Sequence, residues 1–184
     1  MLYNKHMLIL ASQIQNAPIL SIRNGHPVAV AGKMLINADK LEVAAVFCKS
    51  PGWRGDNHVL LLRDIREYSR SGIIIDSLED IEDIGEIIRL GDVMERNYQI
   101  AGKHVVTESD HKLGKVEDYS VDTISNTIQK IYIKPSLLKN LMVNNLVIDR
   151  THIVRADDDK IIVSDASLKT PAKAKAAPAP PAPA

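Results

Sequence analysis

VLLLRDIREYSRSGIIIDS fills residues 59–77, and VIDRTHIVRADDDKIIVSD fills residues 147–165. At one constant offset Val59 falls on Val147, Ile65 on Ile153, and Ile73-Ile74-Ile75 on Ile161-Ile162-Val163. Each copy reads as an apolar strand, a short polar connection, an isoleucine, a turn and a second β-branched strand. The repetition extends upstream. LEVAAVFCK (41–49) mirrors IQKIYIKPS (128–136), and GHPVAV (25–30) mirrors GKHVVT (102–107). A repeat of this length marks a duplicated supersecondary unit, so the chain divides into two all-β copies, residues 14–76 and 98–165.

The second copy has the clearer strand pattern. Glu108–Lys112 is turn chemistry between two β runs. The outgoing strand, LGKVEDYSVD, carries Gly114, which signals a bend or a close backbone approach. Val116 and Tyr119 are three apart and would face opposite sides of a regular strand. A β-bulge near Glu117-Asp118 puts both on the core side. IQKIYIK then alternates, with Ile131 and Ile133 on one face. Leu137, Leu138 and Leu141 suit a single helical turn, and strands follow near 146–154 and 160–164. So many short strands, with no room for crossover helices, predict a compact antiparallel barrel. Between the copies, Ser77 and Asp80 suit a capping box, and Ile81, Ile84, Ile87 and Ile88 recur at helical spacing. Residues 77–97 therefore read as a linker helix, or two short ones, with an apolar stripe against a barrel.

GKHVVT, HKLGKVEDYSVD, IQKIYI and the closing IIV together resemble the PRC-barrel, the small barrel named after the photosynthetic reaction centre. The likeness covers nearly all of the second copy. The first copy looks degenerate, because GKMLINADK (32–40) is shorter than its counterpart and lacks the LGKV corner. The whole chain resembles tandem PRC-barrel proteins. The resemblance implies a binding and scaffolding role, as in the reaction-centre H subunit and the C-terminal domain of the ribosome maturation factor RimM. It implies no catalytic residue and no cofactor.

Composition narrows the classes further. Lys+Arg 23 balance Asp+Glu 23, so the basic surplus expected of a nucleic-acid binder is missing. A single cysteine, Cys48, rules out a disulfide framework and suits a reducing, cytoplasmic setting. Apolar MLILA (7–11) is too short to span a bilayer. Residues 166–184 end in an Ala/Pro/Lys stretch that cannot bury enough surface to offset its ordering entropy. It reads as a disordered tail, solubilising or docking on an acidic surface. Its lysines (169, 173 and 175) leave the body with 20 basic against 23 acidic residues.

Candidate chemistry is sparse. Gly114-Lys115 lacks the glycine run of a phosphate loop. Asp157-Asp158-Asp159 falls at a turn and lacks the glutamate of a calcium loop. His104 and His111 flank one hairpin without a third ligand, a poor zinc set, so no metal is expected. Cys48 sits in an aliphatic run that predicts a buried, inert thiol. Arg54-Gly55-Asp56 has no adhesive meaning in a cytosolic chain. The set of nucleophile, base and oxyanion donor cannot be filled, which argues against an enzyme.

KSPGWRGDNH (49–58) holds the only tryptophan. Trp53 and Arg54 are of the types enriched at binding hot spots, although Trp53 could equally fold back to plug a barrel mouth. Asp64 and Arg66 of DIRE form a second charged cluster, either a partner contact or an internal salt-bridged turn. The expectation is a non-enzymatic tandem-barrel adaptor that engages a protein partner through Trp53, Arg54, Asp64 and Arg66. A ribosome- or RNA-associated assembly factor is the alternative, and a small-molecule sensor at the seam between the barrels is a third.

Overall fold

The computed structural model describes residues 7–55, 57–135 and 146–166. In chain order these are β1 (Leu8–Leu10), α1 (Ala11–Ile14), β2 (Pro18–Ser21), β3 (His26–Asn37), β4 (Glu42–Lys49), β5 (His58–Leu61), β6 (Glu67–Ser69), β7 (Gly72–Ile75) and β8 (Ile81–Asp83). Then come α2 (Gly91–Arg96), β9 (His104–Thr107), β10 (Lys112–Asp122), β11 (Ile128–Pro135), β12 (Leu146–Asp149), β13 (Ile153–Ala156) and β14 (Lys160–Val163). The helical turn expected at Leu137–Leu141 and the tail beyond Ala166 lie outside the described residues.

The chain is mainly β, and the duplication is visible in its topology. One sheet runs β6-β7-β2-β3-β4-β5-β8. The other runs β13-β14-β9-β10-β11-β12, with β1 added on β10. Six strands thus recur in the same order. The sheets are mixed rather than antiparallel, because β2 runs parallel to β7 and β9 parallel to β14. Their cause is the 3-10 turn after the fourth strand of each unit (Leu62–Asp64, Arg150–His152). It redirects the chain so that the last hairpin returns beside the first strand. Among the described residues neither sheet closes its hydrogen-bond ladder into a barrel.

Register corrects the repeat as read from sequence. Leu35 pairs with Ala45 and Ile36 with Val43; Ser120 pairs with Lys130 and Val121 with Ile128. The equivalent of Val43 is therefore Ile128, two places from the sequence alignment, a slip that keeps every side chain on its own face. The counterpart of HVVT (104–107) is β2, not GHPVAV, which enters β3. The first copy, although it lacks the LGKV glycine, keeps the bulge. Its ladder jumps between Ala31 and Met34, as the second jumps between Val116 and Asp118. Ala31, Met34, Val116 and Tyr119 are all buried, so Gly32-Lys33 is the bulge that mirrors Glu117-Asp118. Both hairpins also close alike. Asn37 caps the amides of Asp39 and Lys40, while Asp122 caps those of Ile124 and Ser125. Leu41 and Asn126 then take the left-handed conformation (φ 49° and 57°).

The segment between the units is not one helix. Ser77 does form its box, accepting from the amide of Glu79 while its own amide donates to Asp80 (2.9 Å). Ile81–Asp83 then adds a strand to the β5 edge. Two 3-10 turns follow, Ile84–Glu86 and Ile88–Leu90, before the six-residue α2. Gly85 and Gly91 interrupt the helical pattern. Ile81, Ile84 and Ile87 are buried as the stripe requires, but Ile88 is 96% exposed. Ile84, Ile87 and Leu90 cover Leu35, Ala45, Val59 and Leu61 in a small second core.

A main core joins the units, running from Ile19, Met34 and Ile73 through Tyr119 and Ile131 to Val163. The contact between units obeys an approximate two-fold relation. The Val43 amide donates to the carbonyl of Asn126 (2.9 Å), and the Ile128 amide donates to that of Leu41 (2.8 Å), two equivalent bonds made in opposite directions. The Tyr119 hydroxyl reaches its own counterpart, Met34 Sδ, at 3.5 Å. Such reciprocity is the mark of an isologous interface, here between halves of one chain. The arms follow the same rule. α1, which precedes the first unit, sits on the second, where Ser12 Oγ donates to Asp118 (2.6 Å). α2, which precedes the second unit, sits on the first, where Lys33 Nζ donates to Asn97 (2.5 Å).

Candidate functional site

The Gly32-Lys33 bulge does more than restore parity. It rotates Lys33 outward, and the neighbouring strands leave Val30 exposed at 43% beside half-buried Phe47. Gly32 lies so close to β4 that an added Cβ would sit 3.1 Å from the Phe47 carbonyl oxygen. Asn97 (φ 45°) ends α2 in the left-handed conformation, the usual helix stop. It holds the helix against Lys33 and leaves Met94 47% exposed. The result is a groove of about 870 Å³ between the bulge and α2, with Val30, Phe47 and Met94 as its apolar lining and Lys33 and Lys49 among its polar residues. An apolar lining with a few placed polar groups is the composition of a binding site.

The residues expected to contact a partner are elsewhere. Trp53 is half-buried, packs against the main core and stacks on His58 with centroids 4.1 Å apart at 21°. Arg54 beside it is exposed. Asp64 lies 3.5 Å from Arg63 Nε, and Arg66 is 2.5 Å from Asp76. β5 separates the pairs, with His58 at its start and Asp64 in the turn beyond its end. The four residues therefore form no single site, and none of them lines the groove. Trp53→Ala is accordingly expected to act on stability. Emptying a half-buried aromatic site should cost about 1–3 kcal/mol, read as a lower denaturation midpoint.

The groove had a signal in the sequence. Ala31 and Met34 are three apart, as Val116 and Tyr119 are, and the spacing that located the second bulge marks the first as well.

The remaining candidates resolve into structure. Gly114 lies inside β10, against Pro135 on one side and Val105 on the other. Asp157 pairs with Arg155 (2.8 Å), and Asp158 with Arg96 (3.0 Å), which also holds Asp39 of the first unit (2.7 Å). The acidic turn therefore helps to tie the halves together. His104 sits opposite Lys115 at the far end of β9 from His111, so the two do not meet. No cluster of three metal-ligating side chains occurs among the described residues. Nor is any helix there long and apolar enough to cross a membrane.

Burial sets the titration behaviour. It pushes the Cys48 thiol and the Tyr98 phenol each up to about 12, and raises Tyr68 and Tyr119 further. Each group keeps its proton when folded and loses it earlier when unfolded. The unfolded state then binds fewer protons, so stability falls as pH rises. The contribution of these four groups is flat below about pH 8.5 and declines toward pH 12, measurable by urea unfolding at a series of alkaline pH values. At pH 8 a thiol reagent should leave Cys48 unmodified until the chain unfolds.

No protein-family model matches the chain, and no curated protein does.

Proposed function

We propose that this chain is a non-enzymatic binding and scaffolding module, a tandem pair of PRC-type barrels that engages a protein partner in the groove beneath α2. The PRC-type reading is supported by the common strand order of the two sheets and by the Gly114 corner with its bulge. One observation carries the binding role: Val30 and Met94 face water from the two walls of a wide groove that includes Lys33. Solvated apolar surface of this kind is stabilised when a partner covers it.

A photo-crosslinking amino acid at Met94 tests the reading in cells, with the same group at exposed Lys115, the counterpart of Val30, as reference. Position 94 should give a discrete protein adduct that Val30→Asp removes while the melting temperature holds. Identical background from both positions would end the proposal. The ribosome-associated reading rests on the three tail lysines and the RimM likeness. It requires co-sedimentation with ribosomal subunits at low salt, and absence from every such fraction excludes it.

A further inference from the structure

Among the described residues, the approximate two-fold relation leaves one place unfilled. In the first unit β8 lies antiparallel on β5, with Ile81 opposite Leu60 and Asp83 opposite His58. The ladder continues through the Ile84 amide, which donates to the carbonyl of Asn57 (2.8 Å). The strand equivalent to β5 is β12, and Ile148 takes the place of Leu60. Among the described residues no strand lies on the outer edge of β12. Leu146 and Val147 are half-buried there, and the strand reads LVID, without the lysine or proline that usually guards an edge.

We infer that the outer edge of β12 receives an extended peptide segment from a partner, paired antiparallel as β8 is on β5. β8 defines its chemistry. Ile81 is buried in the main core, and the counterpart side chain would lie beside Ile148. The incoming strand therefore carries an aliphatic residue at that position. On the outward face, Lys130 and Asp149 replace Ala45 and Leu61, so the rest of the segment is polar. At the constant offset of the sequence repeat, Ile81-Glu82-Asp83 falls on Lys169-Thr170-Pro171, which offers no aliphatic side chain, and Pro171 has no amide to donate. Main-chain pairing supplies affinity and the single apolar seat supplies selectivity, as in other edge-strand recognition. This edge is independent of the groove.

The probe is a synthetic peptide of residues 77–86, titrated into the full chain and followed by fluorescence anisotropy and amide hydrogen exchange. Saturable binding is expected, with protection gained at residues 146–149. N-methylating alternate residues of the peptide should weaken binding at least tenfold for one parity and little for the other, because only one edge of the peptide faces β12. Four results would overturn the inference: no binding, protection at 58–61 instead, equal effects of both parities, or amides at 146–149 already protected without peptide. A concentration-dependent dimer of the chain that the peptide dissociates would assign the edge to a second copy, and so also overturn it.

Discussion

Gly114→Val is expected to destabilise the chain more than any other single change considered. Gly114 has φ 149°, a conformation open to glycine and strained for any residue with a Cβ. Its α-carbon also faces the neighbouring strand so closely that an added Cβ would fall inside the contact distance of the Lys134 carbonyl oxygen and the Pro135 α-carbon. These are backbone atoms in a ladder, so the collision can be relieved only by parting β10 from β11. The strain alone is on the order of 1–3 kcal/mol, and the lost packing brings the total to roughly 4 kcal/mol or more. Against a usual stability of about 5–15 kcal/mol, the melting temperature should fall by about 10 °C or more. Lys115→Ala, one residue on and exposed, should change it little. Calorimetry of the two variants decides the matter. An unchanged melting temperature for Gly114→Val would mean that β10 and β11 do not approach as described. The first unit has Ala29 at the equivalent place, where β3 pairs with Ile19 of β2 on one side but β4, which ends opposite Val30, leaves the other side open.

The second large effect is expected at Arg150. Its Nη1 donates to the carbonyls of Leu41 (3.0 Å) and Ile128 (3.3 Å), and its Nη2 donates to that of Lys40 (2.5 Å). One guanidinium thus satisfies backbone acceptors of both hairpins where the halves meet. Arg150→Ala removes one charged donor from each of these carbonyls, the Leu41 oxygen keeping only the Ile128 amide, and hydrogen bonds from charged groups carry about 1.5–3 kcal/mol. A loss of about 2–3 kcal/mol should lower the melting temperature by about 5–10 °C. Arg150→Lys should recover little, since an ammonium cannot reproduce a planar fork. Recovery by lysine would show that charge rather than geometry holds the seam. Because the main core crosses this seam, both variants should still melt in one transition.

Local rules made much of this fold legible. The 59–77 and 147–165 repeat located the last strands of both units, and the three-residue spacing of Val116 and Tyr119 located a bulge. Alternation in IQKIYIK picked out Ile131 and Ile133, both fully buried. What failed depended on distant partners. Ile81–Asp83 became a strand because the β5 edge lay open beside it, and helical spacing could not register that competition. The parallel pairs follow from a three-residue turn whose effect appears only once the sheet is assembled. The alternating apolar pattern alone misaligns the hairpins, because their true landmarks are the side-chain caps Asn37 and Asp122 and the left-handed Leu41 and Asn126, the last two alike in backbone but not in side chain. At the candidate site the composition of the Trp53 loop suggested a hot spot, yet Trp53 is committed to His58 and the core. The groove lies where a bulge, a helix stop and two exposed apolar side chains converge from three separate stretches of sequence.

The reciprocal seam also bears on stoichiometry. Two identical subunits joined by such an interface would present every surface twice and bind two partners alike. Joining them in one chain lets the copies drift apart without losing each other, because the tether keeps the effective concentration of each half for the other high. Val30, Lys33 and Phe47 of the groove correspond to Lys115, Asp118 and Tyr132 in the second unit, where Ser12 already occupies the bulge carboxylate. A partner that docks in the groove therefore binds once per chain, and the complex has a direction that no symmetric dimer could give it.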